Sequence, residues 1–220
     1  MNKEYETLIE KGCTEAQAQF AMAASNYGVR TLAMHGSVNM QAFIKGPKQP
    51  DEERTPLYVL ELPEVDQHIK IIFYENVRYV AHTNNAEMTA IISEIWMPPA
   101  DLSKAEVEAA IKKYNSISQM PGHREGIMIA MRDNHGTKAA VNYELKRDEN
   151  GQISEITPET VMTDREKGGE LKGLMFSTFY TEEEIADPNF DDRLETVRQM
   201  MSMMAVEGQG APGGMGNSIN

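Results

Sequence analysis

The sequence predicts an α+β fold: a mixed, mainly antiparallel sheet of about six or seven strands, with one core helix across a face and further helices at the periphery. Three stretches carry that expectation. Residues 125–157 alternate apolar and polar side chains across two turns, the period-two signature of half-buried antiparallel strands. Residues 88–97 are largely apolar on both faces, with Met88, Ala90, Ile92 and Trp96 on one and Ile91, Ile95 and Met97 on the other. A strand in the interior of a sheet needs that pattern. Val65, Ile69, Ile72, Phe73 and Val80 recur at helical spacing and place the core helix over residues 63–81.

Each element follows in chain order. Thr14 with Gln17 three positions on is a capping box, so a helix is expected over residues 14–27, closed by Gly28. Residues 38–45 and 57–62 read as a hairpin whose long loop holds Pro47, Pro50 and three acids from Asp51. Pro63 and Glu64 suit the first turn of the core helix, and Asn84 and Asn85 end it. Pro98 and Pro99 stop the doubly apolar strand, after which Ser103 and Glu106 form a second capping box that opens a helix reaching Asn115. Strands are expected at 125–133, 137–147 and 153–157, the last two joined by the Asn150-Gly151 hairpin signal. Residues 161–170, charged and carrying Gly168 and Gly169, read as a loop before a final strand at 174–180. Asp187-Pro188 then starts a helix in which Phe190, Leu194, Val197, Met201 and Met204 fall at alternating spacings of four and three, a packing seam. Residues 1–206 are expected to form a single domain, with 101–116 a helical insertion and 187–206 a peripheral helix. The Gly-rich residues 207–220 form a disordered tail.

Composition narrows the function classes. A net charge of -13 repels duplex DNA and anionic lipid at long range, so neither nucleic acid nor membrane is an expected partner. The nearest approach to a basic patch, Lys104, Lys112 and Lys113, is interleaved with Glu106 and Glu108. A charged N-terminus and short apolar runs predict a cytoplasmic protein without a signal peptide, and the lone Cys13 forms no disulfide framework.

Few residues point to chemistry. Glu94 lies in an apolar strand beside Trp96, the one tryptophan; a buried acid with an indole neighbour can line a ligand pocket, or the acid can pair with Arg124 or Arg132. His123, Arg124 and Glu125 follow Pro121-Gly122 at a strand entrance, where acid, base and anion-holding groups are commonly found. Neighbours on a strand point to opposite faces, so all three do not converge without a bulge. The five histidines have no helical zinc spacing, and neither a metal nor a cofactor is expected. Methionine is abundant, 16 in all, with Met200, Met201, Met203 and Met204 clustered late. Flexible thioethers suit an interface that repacks, and equally the docking of that helix on its own sheet.

The central helix, the strand ending Ser93-Glu94-Ile95-Trp96-Met97 and the strand opened by His123-Arg124-Glu125 resemble small uncharacterised bacterial and phage α+β proteins over residues 65–136, outside 101–116. The resemblance implies a phage or mobile-element origin and brings no activity. The expected function is that of an acidic interaction or accessory protein without catalysis, oligomerising or binding a protein partner through the seam Phe190, Leu194, Val197, Met201 and Met204. The alternative is a small-molecule-binding protein or hydrolase-like enzyme with a pocket at Glu94, Trp96, His123, Arg124 and Glu125.

Overall fold

The computed structural model describes residues 2–36, 40–48, 50, 55–62, 67–164 and 171–207, with the backbone alone for 67, 68 and 204–207. Six helices and six strands follow in the order α1 (Lys3–Glu10), α2 (Glu15–His35), β1 (Met40–Lys45), β2 (Leu57–Leu62), α3 (Gln67–Thr83), β3 (Met88–Met97), α4 (Lys104–Tyr114), β4 (Arg124–Asp133), β5 (Lys138–Arg147), β6 (Ile153–Thr163), α5 (Glu182–Ile185) and α6 (Phe190–Glu207). The strands form one sheet in the order β2-β1-β3-β4-β5-β6. The sheet is antiparallel, where a mixed one was expected. The reason lies in the connections: hairpins join β1 to β2 and β5 to β6, and the crossover through α3 skips a neighbour, setting β3 beside β1 rather than beside β2.

The described residues group into two compact units, residues 1–39, 92–130 and 139–169 in the first, and 40–91, 131–138 and 170–220 in the second. In the first, the Thr14 capping box starts α2 as expected, yet the helix runs on through Gly28 to His35. Gly28 is a packing residue: a Cβ there would stand 3.1 Å from Ile92 Cγ2, so its absence lets α2 approach β3 and β4. The helix ends instead at Gly36, whose φ of 77° is the left-handed C-cap geometry. Leu8 of α1 and Phe20, Ala21, Ala24 and Leu32 of α2 are buried together with Ile127, Ile129, Val141 and Tyr143 of the strands. β6 extends to Thr163, past the expected end at 157, so residues 161–163 are strand and not loop; residues 165–170 lie outside the described residues. Pro158 is tolerated because β6 is an edge strand, and the register skips Glu159 where Asn142 pairs with Thr160 and Tyr143 with Pro158.

In the second unit β1 and β2 pair from Met40↔Leu62 to Lys45↔Leu57, and α3 packs on them with Phe73, Tyr74, Val77 and Ala81 against Met40, Ala42, Ile44 and Leu62. The expected helix start at Pro63 and Glu64, the early part of the first strand at 38–39 and the tail at 208–220 lie outside the described residues. The final strand expected at 174–180 does not form. Its alternation is real, since Phe176, Thr178 and Tyr180 are buried and the residues between them are not, but Leu174–Phe176 is a 3-10 turn and the segment crosses the sheet's face. Thr178 Oγ1 meets Thr89 Oγ1 at 2.5 Å and Arg132 Nη1 donates to Phe176 O at 3.1 Å, contacts to strand side chains rather than to an edge backbone. Thr181 and Glu184 form a third capping box that opens α5, and Asp187 closes a turn before α6, which starts at Phe190 and not at 187.

Candidate functional site

β3 divides along its length. Residues 88–92 are buried on both faces, whereas Ser93, Glu94 and Ile95 are half-buried and Trp96 is 42 % exposed. The tryptophan-bearing end is therefore a rim and not the interior expected, because the chain leaves the sheet at Pro98. Trp96 meets the His123 ring edge-to-face at 4.9 Å, and His123 Nδ1 lies 2.7 Å from Met120 O, so the two candidates do come together.

The charged candidates go elsewhere. Arg124 donates from Nε to Pro98 O at 2.9 Å and from Nη2 to Glu159 Oε1 at 2.8 Å, with Nη1 3.3 Å from Glu144 Oε1. The skipped register at Glu159 turns that residue to serve this arginine, and Lys11 Nζ donates to its carbonyl at 2.7 Å. Burial alone would lower the Arg124 pKa, but Glu159 and Glu144 raise it above its ordinary value. Glu125 takes both ends of Arg147, whose Nε donates to Oε2 at 2.7 Å and Nη2 to Oε1 at 2.5 Å. Glu94 lies in the field of Arg147. The alternation of strand side chains separates the cluster, with Arg124 reaching Glu144 and Glu159 and Glu125 reaching Arg147.

Beside Met120 lies a groove of about 430 Å3 in the first unit. Pro99, Leu102, Ala110, Tyr114, Met120 and Pro121 give it apolar walls, and Asp101 is its one charge. α4 forms one wall without burying a residue of its own, and Ile111 stands 39 % exposed.

The seam on α6 is consumed unequally. Phe190 and Val197 are buried at 6 % and 3 % exposure, Leu194, Met200 and Met201 are half-buried, Met203 is 61 % exposed, and the Met204 side chain lies outside the described residues. What holds the helix is an ionic ring that sequence reading missed. Glu75 and Arg78 of α3, Glu184 of α5 and Arg193 of α6 alternate in sign. Arg78 Nη1 donates to Glu75 Oε1 at 2.9 Å and Nη2 to Glu184 Oε2, while Arg193 Nη2 donates to Glu75 at 2.8 Å and Nη1 to Glu184 at 3.2 Å. Both guanidiniums stack on Tyr180, at 4.3 and 5.1 Å, and Tyr180, His82 and Phe190 pack edge-to-face. Burial would push the Glu184 carboxyl up, yet the bonds from Arg78, the Thr181 N–H and Arg193 hold it at about 2. Burial pushes the Tyr180 phenol up to about 12. Two of the ring's contacts span 106 and 118 residues; its local signals are the i,i+3 pair Glu75-Arg78 and the Thr181-Glu184 capping box.

Among the described residues no three His, Cys, Asp or Glu gather as a metal site, and no helix is long and apolar enough to cross a membrane. Cys13 is buried, which pushes its thiol up to about 11 and away from the reactive thiolate. Compared with protein-family models, curated proteins and solved structures, the chain has no match.

Proposed function

We propose that the chain is an acidic accessory protein of the cytoplasm that acts by self-association through the methionine-rich end of α6. The observation that supports this reading is the burial gradient along one helix: its first turns are locked by Phe190, Val197 and Arg193, while Met200, Met201 and Met203 beyond them are left partly or largely in water. Exposed thioethers on an anchored helix form an apolar surface that adapts to a partner at little cost in backbone entropy. A net charge of -13 keeps nucleic acid out of the list of partners. Light scattering on the full chain tests the reading. A mass of at least twice 24.6 kDa that falls to one chain with Met200→Lys and Met203→Lys upholds it; one chain at every soluble concentration sinks it.

A second reading rests on the groove beside Met120, whose carbonyl meets His123 Nδ1, with Trp96 packed on the His123 ring and outside the groove's lining. Its volume lies within the range of small-ligand sites, and its apolar walls suit a compact apolar ligand with one cationic group for Asp101. The indole reports on occupancy, so a fluorescence titration that saturates supports a ligand there, and indifference to a broad metabolite panel removes it.

A further inference from the structure

α4 carries an apolar stripe that it does not bury. Val107, Ala110, Ile111 and Tyr114 recur at i, i+3, i+4 and i+7, the spacing that sets one helix face against a core, yet none of the four is buried and Ile111 is 39 % exposed. Ala110 and Tyr114 line instead the groove of about 430 Å3, whose other apolar walls are Pro99, Leu102, Met120 and Pro121. A half-wetted apolar face beside a void of that size leaves burial to be gained by a movement, because closing the void takes the stripe out of water. We infer that α4 is a lid, open in this structure, which swings as one piece and closes the groove over its ligand.

The helix is built to move without unfolding. Ser103 and Glu106 close its N-terminus reciprocally: the Ser103 N–H donates to Glu106 Oε2 at 2.7 Å, and the Glu106 N–H to Ser103 Oγ at 3.4 Å. Asn115 ends it in the left-handed region at a φ of 62°, with its N–H on Ile111 O at 2.9 Å. Both termini are thus satisfied by the segment itself. α4 packs on the 3-10 turn Ile117–Gln119, which belongs to the same excursion from the sheet, and Lys113 Nζ lies 4.8 Å from the centre of the neighbouring Tyr114 ring.

The roots of the excursion, by contrast, are pinned to β4. Arg124 Nε donates to Pro98 O at 2.9 Å, and Arg124 is itself held by Glu144 and Glu159. Met120 is buried, and its carbonyl oxygen lies 2.7 Å from His123 Nδ1 and accepts the His123 N–H at 3.2 Å, while the His123 ring packs on Trp96. Two fixed points therefore flank one self-capped helix, and the movement falls where the chain leaves them, at residues 99–102 and at Gln119. His123 and Arg124 hold these roots rather than take part in chemistry. What the lid encloses rests on the second reading above, a compact apolar ligand with one cationic group, and Asp101, the charge that would meet it, sits on the connection that bends.

The test is nitrogen-15 relaxation dispersion on the full chain without ligand. A swinging lid gives microsecond-to-millisecond exchange with one shared rate across residues 100–119, absent from β5 and β6. Val107→Gln puts a polar group on the stripe and should cut the closed population, and with it the exchange amplitude, severalfold; Lys112→Gln, on the opposite side of α4, should leave the amplitude unchanged. Flat profiles over residues 100–119, unrelated rates along them, or equal effects of the two variants overturn the lid. Shared exchange in a chain whose Trp96 fluorescence is indifferent to the metabolite panel upholds the lid and removes the ligand, so the two readings fail separately.

Discussion

Two arginine clusters of the second unit differ in how their charge is answered. Around Tyr180, two guanidiniums meet two carboxylates in a closed ring, each arginine bridging both acids. Around Phe176, Arg132 donates instead to the Phe176 carbonyl and pairs with no carboxylate among the described residues. The first arrangement fastens α5 and α6 to α3. The second holds its arginine through a backbone carbonyl and the Phe179 ring. The number of carboxylates that meet an arginine, more than its burial, sets how much it contributes to holding elements together.

The largest effect expected from breaking this contrast is in the ring. Arg78→Met leaves Glu75 and Glu184 with Arg193 alone, and since the Arg78 side chain is 10 % exposed, the loss is about 3 kcal/mol, read from the urea midpoint. Acid probes the same ring. The Glu184 pKa is held at about 2 against an ordinary 4.5, so its contribution is present above about pH 4.5 and is lost as pH falls towards 2. Roughly 2 kcal/mol is expected over that window, allowing for the partial exposure of the carboxylate, and Glu184→Gln should flatten the profile there.

Glu4 of the first unit is the anionic counterpart of Arg132, a half-buried charge with hydrogen bonds but no cation. Burial raises its pKa, opposed by Tyr143 and Ser25. The folded state therefore holds its proton above the ordinary value, and stability falls as pH rises from about 4.5 upward, opposite in sign to Glu184. Glu4→Gln should remove that decline and stabilise the neutral-pH protein by on the order of 1 kcal/mol or less. Smallest of all, Arg132→Gln should change stability by less than about 1 kcal/mol, because it removes one hydrogen bond to a backbone carbonyl.

Local signals in the sequence were legible and long-range ones were not. The capping boxes at Thr14 and Ser103 start α2 and α4 as expected. Gly28 misled, since a glycine that ends a helix and one that lets a helix approach a strand look alike until Ile92 is in place. The strand expected at 174–180 does not form, because whether that segment joins a sheet edge or crosses a face depends on Thr89 and Arg132, far away in sequence. At the candidate site the meeting of Trp96 and His123 was within reach of strand geometry. The destinations of Arg124 and Glu125 were not, because Glu144, Glu159 and Arg147 come from two later strands whose order is invisible to local pattern.

The contrast between the two clusters comes to one measurement: the melting temperatures of Arg193→Gln and Arg132→Gln compared at neutral pH. Arg193→Gln, which loses contacts to two carboxylates, should melt lower, while Arg132→Gln, which loses one bond to a backbone carbonyl, should melt near the parent. An equal fall in both variants, or a larger one in Arg132→Gln, would contradict the account that the ring fastens the late helices.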